Sequence, residues 1–456
     1  MFEGLKRAHF VGIGGIGMSA AAKFLAARGV AVTGSDMKTS AIADALAARG
    51  VSVSIGQSAL NVPEDAGLIV YSSAVPETNP ERVRAKELGV PERSYPEFLG
   101  EISKAKRTIV VTGTNGKSTT TAMLGLILEA AGMDPTVIVG SLVPGFPDGN
   151  LRVGKGEWFV VEGCEYRANV LNLDPEAIVF TNIEEDHLDY FKDIDHIRQV
   201  FQSFADKAKG KGPVAWNADD PQSSTLTLDK GVSYAMEASA DINGGNRRVE
   251  NGKQMIDVVR RGSSLGRLVL SVPGKFNAMN ALAASAMAME LGVSFDVCAK
   301  TLAAFTGIWR RFERVGTFQG AEVISDYGHH PTAIRGTIEA AREFFPGRRV
   351  VLCFQPHQHS RTLELKDEFI AALKDADVAV VPEIYGVTGR TEEEAKLISS
   401  QDLVDGVKGS VYAKDLGEAQ TILSGVVRDG DVLIIQGAGD VDELARTLCA
   451  TSSAAV

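Results

Sequence analysis

Cysteines, long apolar runs and positive charges are all scarce in this chain. No apolar run among its 456 residues approaches ~18 residues, so we expect no membrane-spanning helix. The first residues also lack the apolar segment of a secretory signal. The cysteines are too far apart for a zinc or redox motif, so free thiols in a reducing cytoplasm are expected. They are Cys164, Cys298, Cys353 and Cys449.

The formal net charge of −11, with no offsetting cluster of lysine and arginine, argues against a nucleic-acid partner. Anionic ligands would therefore need cations placed locally. Hydrophobic residues make up 45% of the chain and charged residues 23%, as in soluble globular proteins. The length predicts about three domains, and the oligomeric state stays unspecified. We expect a cytoplasmic protein with small-molecule partners.

Short apolar runs alternate with helical stretches along the whole chain, a rhythm typical of α/β proteins with parallel sheets. It fades at the polar stretch 103–107, a candidate linker, and restarts near Arg314. We predict a Rossmann-like domain over 1–104, a P-loop domain over 105–313 and a second Rossmann-like domain over 314–456. Helices are predicted at 119–131, 277–291 and 363–373, and strands within 247–271.

Segment 109–121 joins an apolar strand to a glycine-containing turn and then to a helix. Backbone N–H groups and the helix N-terminus in such a turn face a polyphosphate. Lys117 would reach the β- and γ-phosphates, and the Ser118 hydroxyl would bind Mg²⁺, although Val111 stands where the general pattern has glycine. The sequence therefore predicts binding of ATP and Mg²⁺. The predicted loop residues are Gly113, Thr114, Asn115, Gly116, Lys117, Ser118 and Thr119.

A second glycine loop, 12–17, follows the first strand, and Asp36 ends the next strand. This pattern matches the dinucleotide-binding fingerprint and would suit NAD. A nucleotide-sugar diphosphate fits equally well, because the turn offers amides to a diphosphate and Asp36 accepts from a sugar hydroxyl. Glycines that serve only strand–helix packing are a third interpretation.

The two loops, together with the motifs that follow, resemble the Mur ligase family over essentially the whole chain. This resemblance implies an ATP-dependent ligase that joins a carboxylate to an amine through an acyl phosphate. Within the family, the motifs most resemble the members that add L-alanine to UDP-N-acetylmuramate. The motifs lie at 9–17, 71–75, 113–121, 181–189, 277–280, 310–313, 326–331, 354–362 and 436–440.

The resemblance also implies roles for individual residues. The UDP-sugar would contact Gly14, Gly15, Ile16, Gly17, Asp36, Ser72 and Ser73. The metal would be held by Ser118, Glu162 and His187, and ATP would also contact Asn277, Asn280, Arg311 and Asp326. Tyr327, His329 and Arg361 would contact the substrate and the amino acid. The catalytic set would be Lys117, His187, Arg311, His329 and Arg361.

Several of these residue types have simpler interpretations. An asparagine amide suits an adenine edge, but Asn277 could instead cap its helix while Asn280 packs in an interface. A histidine at a strand end, such as His187, is often structural. Arg361 suits a carboxylate through a bidentate pair, and it could also be a solvated surface cation.

The chain departs from the family pattern at three places. Gln358 replaces an arginine of the alanine-adding members, which puts the choice of amino acid in doubt. Cys164 replaces an aspartate near Glu162. No lysine lies between Asp193 and Asp206, where some relatives carry a carbamylated lysine, so we do not expect that modification.

Three other functions remain open at this point. A recycling ligase would attach a whole tripeptide to the same UDP-sugar, but segments 326–334 and 354–362 look less like that enzyme. An NAD-dependent oxidoreductase would use the first glycine loop and leave Lys117, Glu162 and His187 unexplained. A non-catalytic nucleotide-sugar sensor would not need an intact phosphate loop.

Overall fold

The computed structural model describes residues 2–187, 190–386 and 393–453, which form three successive α/β units, each with its own sheet. The predicted fold class is therefore confirmed. None of the helices in this part of the chain combines the length and apolarity needed to cross a bilayer.

The first unit has a parallel sheet in the order β3-β2-β1-β4-β5, the Rossmann-like order. The order reverses between β1 and β4, so the loops after these two strands open into one crevice. The glycine loop 12–17 follows β1 and Ser72 follows β4, at the place where such sheets bind ligands. The elements are β1 (Arg7–Val11), α1 (Ile16–Ala26), β2 (Ala31–Asp36), α2 (Ala41–Ala47), β3 (Ser52–Ile55), β4 (Leu68–Tyr71), α3 (Pro80–Leu88), β5 (Glu92–Ser94) and α4 (Tyr95–Lys104).

The central unit has a mixed sheet in the order β15-β14-β13-β12-β11-β10-β6-β9-β7-β8. Its middle strands are parallel, and β13, β14 and β15 form an antiparallel extension. The elements are β6 (Arg107–Thr112), α5 (Lys117–Ala130), β7 (Thr136–Ile138), β8 (Leu151–Arg152), β9 (Trp158–Gly163), β10 (Ala177–Phe180), α6 (Ile194–Lys207), β11 (Val214–Asn217), β12 (Gly231–Ala235), β13 (Ile242–Glu250), β14 (Lys253–Arg260), β15 (Ser263–Leu270), α7 (Lys275–Glu290) and α8 (Phe295–Ala303).

The third unit has a sheet in the order β16-β17-β21-β18-β19-β20, in which β16 alone runs antiparallel to its neighbour among the described strands. The elements are β16 (Glu313–Phe318), β17 (Ala321–Asp326), α9 (Pro331–Phe344), β18 (Val350–Phe354), α10 (His359–Glu364), α11 (Lys366–Leu373), β19 (Val378–Pro382), α12 (Ser400–Val404), β20 (Val411–Ala413), α13 (Leu416–Val426), β21 (Val432–Gln436) and α14 (Val441–Ser453).

The alanine-rich helix α7 packs closely against α5. Its alanines, among them Ala281, Ala284 and Ala288, are fully buried, and such small side chains let two helix backbones approach. This approach puts the first turn of α7 beside the loop that precedes α5. The position of Asn280 therefore follows from the helix packing.

Three local expectations need correction. The linker is only Ala105 and Lys106, because the rest of 103–107 belongs to α4 or β6. The helix predicted over 363–373 is two helices that meet at Leu365. Helix α7 is capped by Gly274, not by Asn277, whose side-chain amide donates to the Pro273 carbonyl at 2.7 Å. The strands predicted within 247–271 are confirmed as β13, β14 and β15.

Fully buried Asn150 fixes the first unit against the central one. Its amide donates to the Ile16 carbonyl and to the Ser19 hydroxyl (2.9 Å), both in α1. Lys23, one turn further along α1, donates to the Asn150 side-chain oxygen at 2.8 Å and to the Asp148 carbonyl at 2.9 Å. The start of α1, and with it the glycine loop, is thereby held in one orientation above the central sheet.

Candidate active site

Two glycines shape the loop before α5. Gly116 has φ 82°, and a Cβ there would lie 2.3 Å from Asn280 Oδ1. Gly113 has φ 133°, and a Cβ there would lie 2.2 Å from Thr181 Oγ1. Only glycine fits both the backbone and the space. No side chain in the described part of the chain caps the amino end of α5, which leaves its N–H groups for an anion.

Lys117 begins α5 and lies at the floor of the cleft. Its ammonium donates to the carbonyls of Gly113 (2.6 Å) and Thr114 (2.9 Å) and forms an ion pair with buried Glu165 at 2.9 Å. Burial is the largest single effect and acts to lower the pKa of Lys117, but its acidic neighbours, Glu165 first, together outweigh burial and raise that pKa. The lysine is therefore a charged group held beside the phosphate loop.

Ser118, in the first turn of α5, lies beside Glu162, near the carboxyl end of β9. The Ser118 hydroxyl donates to Glu162 Oε2 at 3.1 Å, and Glu162 Oε1 accepts from the Gly140 N–H. Burial raises the pKa of Glu162, against the lowering effects of Gly140 and Lys117. A hydroxyl and a carboxylate are hard oxygen ligands, which fits Mg²⁺. Within the described residues, no three His, Cys, Asp or Glu side chains are grouped to hold a metal by themselves.

His187 lies beside the Ser118–Glu162 pair and forms no hydrogen bond or ion pair with it in the described part of the chain. Its backbone has φ 56°, its ring packs on Tyr166 with centroids 4.6 Å apart, and Nε2 is 3.8 Å from both Glu165 and Asp186. The imidazole thus borders the partner of Lys117. Its role as a metal ligand remains a prediction.

Arg361 links the third unit to the central one. Its Nη2 lies 2.8 Å from Asp186 Oδ1, and only 8% of the residue is exposed, so it is not a solvated surface cation. Burial is the largest single effect and acts to raise the pKa of Asp186, but Arg361 and the neighbouring histidines together outweigh it and hold that pKa well below its usual value. Gln358, with φ 70°, Glu185 and His187 line a cavity of about 20 Å³ beside this pair.

His329 also belongs to this corner of the third unit. Its ring lies against Tyr327 and His357, with centroids 5.5 and 5.9 Å away. Burial, followed by the positive charge of Arg361, holds the pKa of His329 well below its usual value. His329 is therefore a neutral imidazole at pH 7, able to accept a proton.

The two adjacent arginines at the start of the third unit have different tasks. Buried Arg310 donates to the carbonyls of Gly437 and Gly439, so it ties the hinge, here residues 310–313 at the entry to the third unit, to the segment after β21. The Arg311 guanidinium lies 4.8 Å from the Tyr327 ring centroid and lowers the pKa of both Glu162 and Asp326, although burial raises each overall. Arg311 is thus the arginine whose charge acts on the site.

The Asp326 carboxylate is already engaged within the third unit. One oxygen accepts from the Phe312 N–H at 2.8 Å, and the other accepts from the Gly328 N–H at 2.7 Å and from Gln436 at 3.1 Å. These bonds explain its position at the hinge. Its contact with ribose remains a prediction.

Asn280 makes its hydrogen bonds within the protein. Its Oδ1 accepts from the Thr120 hydroxyl at 3.2 Å, and its amide donates to Asn277 at 3.3 Å. Both asparagines are buried between α5 and α7. Contact with adenine therefore stays a prediction for both.

The first glycine loop meets two neighbouring side chains. The Gly14 N–H donates to Asp36 Oδ2 at 2.8 Å. A Cβ on Gly17 would lie 2.6 Å from both Cζ and Oη of Tyr95. Packing thus accounts for part of this glycine pattern, while Gly15 and Ser73 remain exposed. The UDP-sugar contacts of this loop, including Ile16 and Ser72, stay predictions.

Sequence reasoning missed four residues that organise the site: Tyr95, Asn150, Glu165 and Asp186. An acidic residue three positions after Glu162 was a signal for Glu165. The others act through contacts between distant segments, for which the sequence has no local signal.

Another crevice, of about 810 Å³, lies at the amino ends of the central strands, where Arg107 and Trp158 begin β6 and β9. Ligands of parallel α/β sheets bind outside the carboxyl ends of the strands. The candidate active site is therefore the cleft that contains Lys117, Glu162 and Arg361, where all three units meet.

Three family models match successive parts of the chain. They are the Mur ligase family catalytic domain over residues 7–107, the Mur ligase middle domain over 111–288, and the Mur ligase glutamate ligase domain over 310–439. The chain is 40% identical to a UDP-N-acetylmuramate–L-alanine ligase of Desulfitobacterium hafniense, covering 96% of this chain and 98% of that protein. It is 38% identical to the enzyme of the same name from Persephonella marina, covering 97% and 96%.

Solved structures of two ligases are similar to this fold over nearly the whole chain. The UDP-N-acetylmuramate–alanine ligase of Thermotoga maritima superimposes with a TM-score of 0.85 at 29% identity, covering 99% of this chain and all of that one. A murein peptide ligase of Psychrobacter arcticus shares the fold, with a TM-score of 0.75 at 23% identity, covering 97% and 98%.

Proposed function

The chain belongs to the Mur ligase family, and we propose that it joins L-alanine to the carboxylate of UDP-N-acetylmuramate with ATP and Mg²⁺, a step of peptidoglycan precursor synthesis. The observation that carries the proposal is the meeting of the phosphate loop, the Ser118–Glu162 pair and Arg361 in one cleft, in a chain 40% identical over nearly its full length to a ligase of that name.

The first chemical step makes the carboxylate reactive. ATP supplies the phosphoryl group, the sugar carboxylate oxygen bonds to phosphorus, and ADP leaves. A bound Mg²⁺ would neutralise charge on the phosphoryl group. Lys117 and Arg311 bring fixed positive charge to the same place, since both lower the pKa of Glu162. Ser118 and Glu162 would hold the metal. Preorganised charge of this kind stabilises a transition state without reorganisation.

The second step forms the amide. The amine of alanine attacks the acyl carbon, phosphate leaves, and the ammonium proton must have been lost beforehand. Neutral His329, beside Tyr327, offers an imidazole nitrogen to that proton, although burial and the charge of Arg361 oppose formation of the imidazolium. Arg361 would bind the alanine carboxylate in place of Asp186.

The recycling ligase is the nearest alternative. Its representative shares the fold at 23% identity, whereas the relatives at 38% and 40% carry the alanine name. An oxidoreductase would leave Lys117 and Glu162 without a task.

The decisive experiment measures phosphate release with ATP, Mg²⁺ and UDP-N-acetylmuramate across the twenty amino acids and the tripeptide. Release with L-alanine above all others supports the proposal, and release with the tripeptide alone favours the recycling ligase. NADH binding followed by fluorescence, without phosphate release, would replace both with the oxidoreductase.

A further inference from the structure

Tyr95 occupies the boundary between the first glycine loop and the metal-side carboxylate of the central unit. It is the first residue of α4, which a capping box at Ser94 and Glu97 anchors to the first sheet. The phenol leans on the glycine loop, where a Cβ on Gly17 would lie 2.6 Å from Tyr95 Oη. The loop therefore carries glycine at 17 because this phenol is there.

The same phenol lies within electrostatic range of the central unit. Burial is the main cause that raises the pKa of Tyr95, and Glu162 and Cys164 raise it further. The hydroxyl is consequently a protonated donor over the whole physiological range. In the described part of the chain it has no hydrogen-bond partner, and it is not among the buried polar atoms sealed from solvent.

The relative position of the two loops is fixed. Asn150 and Lys23 tie α1 to the central unit, so the gap between Gly17 and Glu162 is a property of the fold and not of a loose contact. The proposed reaction requires a substrate whose diphosphate lies at the first glycine loop and whose carboxylate reaches the phosphate loop. The part of such a substrate that leaves the first glycine loop passes Gly17, against which the Tyr95 hydroxyl lies.

We propose that the Tyr95 hydroxyl donates a hydrogen bond to the carboxylate-bearing end of the sugar substrate and so positions it for phosphorylation. Tyr95 is a specificity-determining residue in this proposal. It distinguishes a sugar with a carboxylate from the same sugar without one, because a donor left without its acceptor in a partly desolvated cleft weakens binding. The proposal rests on the proposed function, since it takes UDP-N-acetylmuramate as the substrate.

The test compares wild-type protein with Tyr95→Phe, which keeps the ring against Gly17 and removes only the hydroxyl. Tyr412→Phe is the matched control, since that hydroxyl bonds to Glu383 at 2.8 Å within the third unit. Calorimetry measures binding of UDP, UDP-N-acetylglucosamine and UDP-N-acetylmuramate to each protein. Steady-state phosphate release gives the KM of each substrate.

We expect Tyr95→Phe to weaken UDP-N-acetylmuramate binding by about tenfold or more, the effect of one hydrogen bond to a charged group. Binding of UDP and UDP-N-acetylglucosamine, and the KM for ATP, should not change. An equal loss of affinity for all three uridine ligands would mean that the hydroxyl contacts the diphosphate, and it would overturn the proposal. Unchanged affinity for UDP-N-acetylmuramate would overturn it as well. If wild-type protein binds UDP-N-acetylmuramate without releasing phosphate, the proposed function fails while the binding comparison still decides the role of Tyr95.

Discussion

Arg361 of the third unit and Asp186 of the central unit form an ion pair, with 2.8 Å between Nη2 and Oδ1. Both side chains are nearly buried, and the cavity beside them, about 20 Å³, has room for roughly one water molecule. A carboxylate can replace Asp186 on Nη2 only if the pair separates. If Arg361 binds the amino acid as proposed, the carboxylate of Asp186 competes with that of the amino acid.

Asp186→Asn should lower the KM for L-alanine several-fold, because it removes the carboxylate that competes for Arg361. It should also enlarge the radius of gyration measured by small-angle scattering, because the third unit loses a charged contact with the central one. Asp195→Asn, an exposed carboxylate of α6 in the same unit, is the control. A raised KM would mean that Asp186 helps to bind the amino acid.

The same pair should be insensitive to pH near neutrality. The pKa of Asp186 is lowered in the folded protein, so its contribution is present above the unfolded pKa of about 3.9 and is lost only as the pH falls through the lower folded value. Scattering profiles of wild-type protein should therefore coincide from about pH 6 to about pH 8. Opening within that range would assign closure to another group.

Lys117→Ala should reduce kcat/KM for ATP by at least about a hundredfold while leaving thermal unfolding nearly unchanged. The lysine binds carbonyls and Glu165 at a cleft floor and fills no apolar core. Lys155→Ala, an exposed lysine of the central unit, should behave as wild type. Near-normal turnover by the Lys117 variant would disprove the assignment of the phosphate loop.

Glu162→Ala should raise the Mg²⁺ concentration for half-maximal activity about tenfold, because it removes one of the two hard oxygen ligands. His187→Ala is expected to shift it as well if the imidazole binds the metal. Glu157→Ala, at the exposed start of the same strand, is the control. A change in stability with a normal Mg²⁺ response would give His187 a structural role beside Glu165.

Cys164→Ser should retain more than about half of the activity, because the proposed route needs no thiol nucleophile. The thiol touches solvent in the cleft, but the surrounding protein and the charge of Glu165 raise its pKa to about 12. Alkylation at pH 7 should accordingly be slow in the folded protein and fast after denaturation, as measured by mass spectrometry. Rapid alkylation of the folded protein would contradict the raised pKa.

Local pattern was sufficient for the sheets, the two glycine loops and the strand ends that carry Glu162 and Asp36. Apolar runs and glycine turns can be recognised in windows of about ten residues, and their alternation indicates the α/β fold. Contacts between segments distant in the sequence could not be predicted. Nothing near Asn150 indicates that it holds α1, and nothing near Gly17 indicates that Tyr95 is its neighbour.

The site was predicted in part for the same reason. Lys117 and Ser118 have a local signature, whereas Glu165 and Asp186 were found only because folding places them against Lys117 and Arg361. The helix predicted over 363–373 failed at Leu365 because two helices of similar composition meet there with no glycine or proline between them. Such a break depends on the packing of the third unit.

The buried amide of Asn150 also has a consequence for substrate choice. It holds the start of α1 by two bonds and leaves the distance between the two glycine loops little freedom. In the proposed reaction that distance determines how long the substrate must be, and the protein fixes it before any ligand binds. A sugar whose link to the carboxylate is one bond shorter or longer would still bind by its diphosphate, but its carboxylate would not reach the phosphoryl group. The distance between the loops thus selects the length of the substrate, and Tyr95 selects a substrate with a carboxylate.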